Sequence, residues 1–200
     1  MNIEYLGHSC FKITANNGYS VVIDPYKKGS IPGLRAAATE ANAVLCSHEH
    51  FDHNAADEVK LADTSINNPF AITEIETYHD HHEGSKRGMN KVYILEEDGC
   101  RIAHLGDLGC IPTAEIIEQL AGVDILLIPV GGRYTIDKKE AVALISLLKP
   151  NTVIPMHYRG DGYGLSDLDT IDGFEKLVTE VCKATYGEAP KVIIAEPSRR

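Results

Sequence analysis

No apolar run in this 200-residue chain approaches the roughly 20 residues that a membrane-spanning helix needs, so a membrane-embedded protein is not expected. The opening residues, Met1-Asn2-Ile3-Glu4, lack the basic-then-apolar order of a secretory signal, and a cytoplasmic protein is expected. Basic residues are scarce. The 19 lysines and arginines face 29 acidic residues, and the formal charge of -10 counts against a protein that wraps nucleic acid by bulk electrostatics. The five cysteines (Cys10, Cys46, Cys100, Cys110 and Cys182) include no Cys-x-x-Cys pair, and an odd number cannot pair completely. Reduced thiols packed as small hydrophobes are expected. Tandem repeats and low-complexity tracts are missing too, so residues 1–200 are read as one domain. With 44% apolar and 24% charged residues that domain is globular, and its acidity is most easily reconciled with an acidic pocket or a metal site.

Short apolar and β-branched runs read as strands at residues 3–6, 11–14, 19–23, 43–46, 72–78, 92–95, 101–105, 123–129, 152–156 and 192–195. Gly18 and Asp98-Gly99 lie between neighbouring runs and predict two antiparallel hairpins. Helical spacing appears at 113–120, 137–148 and 167–185; Asp137 with Glu140 forms a capping box, and Lys149-Pro150 stops that helix. Residues 27–35 and 82–89 read as surface loops, the second mobile. Together these predict a mixed α/β sheet system covered by helices.

Nine histidines carry more information than the cysteines. The segment Ser47-His48-Glu49-His50-Phe51-Asp52-His53-Asn54 follows directly on an apolar strand. His48 and His50 are two residues apart and project to one side of an extended backbone. Asp52 and His53 follow as the chain turns toward an expected helix, pointing in different directions as two neighbouring ions require. Three further candidates also follow strands: His79 after 72–78, Asp107 after 101–105 through Gly106, and His157 after 152–156. Ligand sites in sheet folds gather where strand ends open into loops. If His48, His50 and His79 hold one ion and Asp52, His53 and His157 the other, Asp107 is left to bridge them, as in two-metal hydrolytic sites.

The order His48-x-His50-x-Asp52-His53, Gly106-Asp107, Pro155-Met156-His157 resembles the metallo-β-lactamase superfamily over nearly the whole chain. The resemblance implies a four-layer αββα sandwich of two mixed sheets with metals at one edge, and it supports the ligand division above. Leu6-Gly7-His8-Ser9-Cys10-Phe11, Asp24-Pro25 and Ile128-Pro129-Val130-Gly131-Gly132 look like the short, single-domain branch that includes ascorbate-6-phosphate lactonase-like proteins. Asp107 stands where zinc β-lactamases of the best-known type carry cysteine, which disfavours antibiotic hydrolysis. Flavodiiron oxygen reductases place glutamate at the position of His50, whereas Glu49 is one residue out of register. The chain is also too short for the extra domain of the superfamily's RNA-processing nucleases.

His79 is preferred to His81 because it directly ends the strand, and His82 is read as solvated. His104 is read as a hydrogen-bonded structural histidine with a supporting role at the site as the alternative. His8 enters as a pocket candidate through the resemblance alone. Asp24 is a turn residue or the acceptor of a ligand histidine's free ring proton. Arg133 and Tyr134, after Gly131-Gly132, are candidates to reach an anionic substrate, with Lys86 and Arg87 as a similar gate. The expectation is a binuclear hydrolase of a small, anionic ester or lactone, with Asp52 and Asp107 in the reaction and two divalent ions, zinc first, manganese or iron as alternatives. A phosphodiesterase, an iron-dependent oxygenase or sulfur dioxygenase, and a nonenzymatic metal-binding module are the other readings. The partner implied is a small-molecule substrate, without nucleic acid or membrane, and homo-oligomerisation is left open.

Overall fold

Alternating apolar and polar residues make much of this chain strand. In the computed structural model, which describes residues 1–62 and 65–200, the order begins β1 (Asn2–Gly7), β2 (Cys10–Thr14), β3 (Ser20–Ile23), β4 (Thr39–Ala41), β5 (Ala43–Leu45) and β6 (Val59–Leu61). It continues β7 (Ala71–Tyr78), β8 (Met89–Glu97), β9 (Cys100–His104), α1 (Ala114–Leu120), β10 (Ile125–Pro129), α2 (Lys138–Leu148), β11 (Thr152–Met156), α3 (Phe174–Tyr186) and β12 (Lys191–Val192). One sheet has the order β1-β2-β3-β5, antiparallel except for the parallel pair β3·β5. The other has the order β12-β11-β10-β9-β8-β7, parallel from β12 to β9 and antiparallel from β9 to β7. Both predicted hairpins form. Asp98 and Gly99 both take left-handed backbone (φ 52 and 76), as a two-residue turn between β8 and β9 requires.

The two sheets face each other. Phe11, Ile13, Val21 and Ile23 of the smaller meet Leu95, Ile102, Leu127 and Ile154 of the larger in one buried cluster. Each such side chain stabilises the fold by about 1.5–3 kcal/mol on burial, so the alternation decides which face of each strand turns inward. The opposite face of the larger sheet, with Ile94, Ala103, Leu126 and Val153, is in the cluster that takes in Leu120 of α1, Val142 and Ile145 of α2, and Val178 of α3.

Over the smaller sheet the covering layer differs from the expected helices. Tyr26, Ile31, Leu34, Ala37 and Ala41, with Val59 of β6, join Leu6, Cys10 and Val22. Among the described residues this layer is irregular chain and the parallel ladder β4·β6, with no α-helix. Gly29, Pro32 and Gly33 explain why: each breaks helical backbone, and Gly33 packs so tightly that a Cβ would lie 1.9 Å from Gly162 O.

The capping box of α2 is present, with Asp137 accepting from the N–H of Glu140 and Glu140 from that of Asp137, and Lys149 ends the helix in left-handed backbone. The helix expected from residue 167 starts instead at Phe174. Asp169 N donates to Gly131 O and Arg159 N to Asp169 O, at 3.0 Å each, so the chain ahead of α3 spends its backbone groups on neighbouring loops. The final strand is Lys191–Val192 rather than 192–195. All five cysteines are free, as expected.

Candidate metal centre

In the larger sheet β7, β9 and β11 run the same way, so their C-terminal ends reach one edge. His79, Asp107 and His157 lie just beyond those ends, and the segment after β5 meets them there. That segment turns tightly, with His53 N and Asn54 N both donating to His50 O (2.9 and 3.1 Å). Only a three-residue 3-10 turn, Ala56–Glu58, follows it in place of the expected helix. His48, Asp52 and His53 are buried, while Glu49 and His50 remain exposed.

Asp107 depends on two neighbours. Gly106 has φ +55, and a Cβ there would lie 2.3 Å from Asn90 Oδ1 and 2.6 Å from Ser47 Cβ, so glycine alone fits. Asn90, fully buried on β8, accepts the Asp107 N–H at 2.8 Å and donates to Thr77 Oγ1 (2.8 Å) and Leu105 O (3.0 Å). Sequence reasoning missed Asn90, because a polar residue in a strand carries no local mark of this long-range role. His8, Asp24 and His157 also hold left-handed backbone (φ 56, 52 and 54), a strain of order 1–3 kcal/mol each that clusters at functional sites.

The candidate ligand atoms converge. One donor each from His48, His50 and His79 lie within 4.8 Å of one another, as do donors of His8, Asp52, His53 and His157, and of His48, His53 and Asp107. Asp107 joins the groups: Oδ2 is 3.1 Å from His157 Nε2, 3.4 Å from His79 Nε2 and 3.9 Å from His48 Nε2, and Oδ1 is 3.1 Å from His53 Nε2. Despite these separations, His48 Nε2, His53 Nε2, His157 Nε2 and Asp107 Oδ1 are buried and make no well-formed hydrogen bond. Buried polar atoms without partners are costly, and imidazole nitrogens crowded around a carboxylate are what divalent first-row metals accept; the residues fit metal ions.

Hydrogen bonds behind the cluster set its tautomers. Ser47 Oγ donates its one proton to Asp24 Oδ2 (2.7 Å), so at 2.9 Å it accepts from His48 Nδ1–H, leaving His48 Nε2 unprotonated. His53 Nδ1 donates to Asp24 Oδ2 at 2.8 Å, and its Nε2 faces Asp107. Burial holds His48 down at about 3, and His8 is lowered to about 4 by burial and then by His157. Neutral His8 donates Nε2–H to Asp52 Oδ2 at 3.2 Å. Burial alone would raise the Asp52 carboxyl; the bond from His8 and the charge of His53 carry it below its ordinary value. Asp107 likewise lies well below the usual range because His157 and His53 outweigh burial. For His53, Asp107 and Asp24 outweigh burial and raise it.

Of the supporting candidates, Asp24 is the ring-proton acceptor, and His8 touches Asp52. His104 accepts from Gly106 N (3.1 Å) and donates to Ser9 O (2.8 Å), which makes it a structural tie between β9 and the β1–β2 turn. His81 does not follow His79 inward: the chain bends after β7, and His81 Nε2 lies exposed, 3.5 Å from Glu140 on α2.

A cavity of about 370 Å³ opens beside the cluster, lined by His50, Asp52, His79 and Asp107 and rimmed by Phe51, Arg87, Tyr134, Leu165 and Asp167. Tyr134 lines it and donates to Asp167. Arg133 does not: its side chain is largely exposed, with Nε 3.9 Å from Asp167 Oδ2. Arg87 takes the place expected for Arg133, its guanidinium 5.3 Å from the Tyr134 ring centroid, whereas Lys86 bonds exposed His82.

A family model described as β-lactamase superfamily domain matches residues 2–157. A UPF0173 metal-dependent hydrolase of Thermococcus onnurineus is 28% identical, with 98% of this chain and 97% of that protein covered. Another, of Thermoplasma volcanium, is 30% identical, with 96% of each covered. A solved structure from Thermotoga maritima, assigned to the zinc-dependent hydrolases of the metallo-β-lactamase superfamily, is 36% identical with TM-score 0.68, covering 88% of this chain and 84% of that one. With a family match over most of its length and the histidine–aspartate cluster at the shared sheet edge, the chain belongs to the metallo-β-lactamase superfamily.

Proposed function

We propose that this chain is a binuclear metal-dependent hydrolase of a small anionic ester or lactone. The observation that carries the reading is Asp107, whose two oxygens approach imidazoles of both ligand groups. His48, His50 and His79 would hold one ion, Asp52, His53 and His157 the other, with Asp107 between them. Bound divalent ions, zinc first with manganese or iron as alternatives, would acidify water to near-neutral pH and polarise the oxygen under attack. The chain's own groups do the rest. Asp24 and Ser47 hold the Nδ1 protons of His53 and His48 on the far side, so the Nε2 atoms of both rings face the centre. His8 holds Asp52 ionised and oriented. The cavity lies toward the small end of the roughly 300–1,000 Å³ typical of small-molecule sites, which favours a metabolite-sized substrate over a polymer.

The test is turnover of a panel of esters, lactones and phosphodiesters by protein loaded separately with zinc, manganese and iron, with oxygen uptake measured alongside. Ester or lactone hydrolysis supports the reading. Turnover of phosphodiesters alone, or oxygen consumption by the iron form without hydrolysis, replaces it with the corresponding alternative.

A further inference from the structure

The loop between β7 and β8 is built around Asp80. This buried carboxylate accepts four backbone N–H groups: His82 (2.7 Å) and Gly84 (3.1 Å) on Oδ1, Lys86 (3.0 Å) and Arg87 (2.8 Å) on Oδ2. Gly88 N closes the turn onto Gly84 O (2.8 Å), and His79 N bonds Gly88 O (3.1 Å). A segment read from sequence as mobile is therefore tied, through one side chain, to the residue beside His79. Its last side chain before Gly88 is Arg87, which rims the cavity.

Arg87 has donors to spare. Its guanidinium lies against Tyr134, and Nη2 reaches Arg133 O only at 3.4 Å. Among the described residues no carboxylate lies within 4.0 Å ion-pair distance of it, and of its five N–H donors only the one toward Arg133 O has a protein acceptor. Asp167, the acidic residue on the same rim, is engaged by the Tyr134 hydroxyl and faces Arg133. Phe51, 58% exposed, and half-buried Leu165 supply apolar surface in the same cavity. A single guanidinium on a cavity rim that also carries an acidic residue suits a monoanion better than a phosphate dianion.

We infer that Arg87 selects the substrate: it binds the carboxylate of a small ester whose apolar body lies along Phe51 and Leu165 and whose scissile group reaches the histidine–aspartate centre. Asp80 is the positioning residue that fixes Arg87 there. This inference rests on the hydrolase reading above, which it deepens by naming the substrate's charged group and its receptor.

The experiment uses the metal-loaded enzyme and matched esters, monomethyl and dimethyl glutarate, with succinate and adipate homologues to span the distance. The wild type is expected to prefer the monoanion. Arg87→Ala should lower the ratio of kcat/KM for monoester over diester roughly tenfold or more, chiefly through KM, as expected for a lost charge-assisted pair. Arg87→Lys should restore part of it. Asp80→Asn should raise KM for the monoester while kcat and metal content hold. Arg133→Ala, outside the cavity lining, should keep the preference. A ratio unchanged in Arg87→Ala, or a wild type that favours the diester, overturns the inference, and equal loss of kcat and KM performance on both esters in Asp80→Asn overturns the positioning role. If neither ester is hydrolysed, the hydrolase reading is decided separately by the ester, lactone and phosphodiester panel above, and calorimetric titration with monomethyl glutarate still decides on Arg87. Binding weakened about tenfold in Arg87→Ala supports it; equal affinity, or no binding to the wild type, overturns it.

Discussion

Asp24 Oδ2 accepts the ring proton of His53 at 2.8 Å, and the same oxygen accepts from Ser47 Oγ, which in turn holds His48. One carboxylate outside the cavity thus orients a histidine in each proposed metal group. Asp24→Ala should weaken binding of both ions by about 10- to 100-fold, whereas Ser47→Ala should weaken chiefly the ion held by His48. Competition with a chromophoric chelator measures both. Equal, undiminished affinities in Asp24→Ala would reduce this residue to a turn former.

Asp107→Ala should abolish ester turnover and release metal while the far-ultraviolet circular dichroism stays that of the folded chain. The two sheets and three helices keep their own apolar clusters, which do not include Asp107. Unchanged metal stoichiometry and turnover would leave Asp107 as an ordinary residue after Gly106.

His79→Ala and His81→Ala should behave differently although the two are only two residues apart. The first removes a buried nitrogen 3.4 Å from Asp107 and should lower the bound metal count. The second breaks an exposed pair with Glu140, an interaction worth about 0–1 kcal/mol, and should leave metal content intact. Elemental analysis of both variants checks this, and the reverse pattern would exchange their roles.

Tyr26 makes stability fall at alkaline pH. Burial, then the neighbouring Cys10, pushes its phenol above the ordinary value. The unfolded chain releases this proton from about pH 10 upward while the folded chain retains it, so the contribution is full below pH 10 and is lost as pH rises. Tyr26 also donates its one hydroxyl proton to Arg35 O (2.9 Å), with Leu6 O (3.3 Å) as a second, longer acceptor. Tyr26→Phe should therefore cost about 1–2 kcal/mol at pH 7, and the gap should narrow between pH 9 and 11. Urea unfolding of both proteins across that range measures it; a constant gap would mean that the phenol titrates alike in both states.

The strand-end positions of the histidines and aspartates were legible because motif and strand are local: an apolar, β-branched run followed within one to three residues by His48, His79, Asp107 or His157. The capping box of α2 was legible for the same reason. What could not be read depends on contacts across the chain. Helical spacing in residues 167–173 gives way to backbone bonds with Gly131 and Arg159. The three-residue strands β4 and β6 pair across about twenty residues and are too short to show periodicity. Arg87 rather than Arg133 reaches the cavity because Asp80 folds the intervening loop, and the bend after His79 that sends His81 toward α2 belongs to that same loop.

Elemental analysis combined with anomalous diffraction from metal-saturated crystals decides whether the centre is binuclear. Two ions per chain are expected, roughly 3.5–4 Å apart, with Asp107 between them. A saturated site holding one ion, or two ions without Asp107 as a shared ligand, would contradict that expectation.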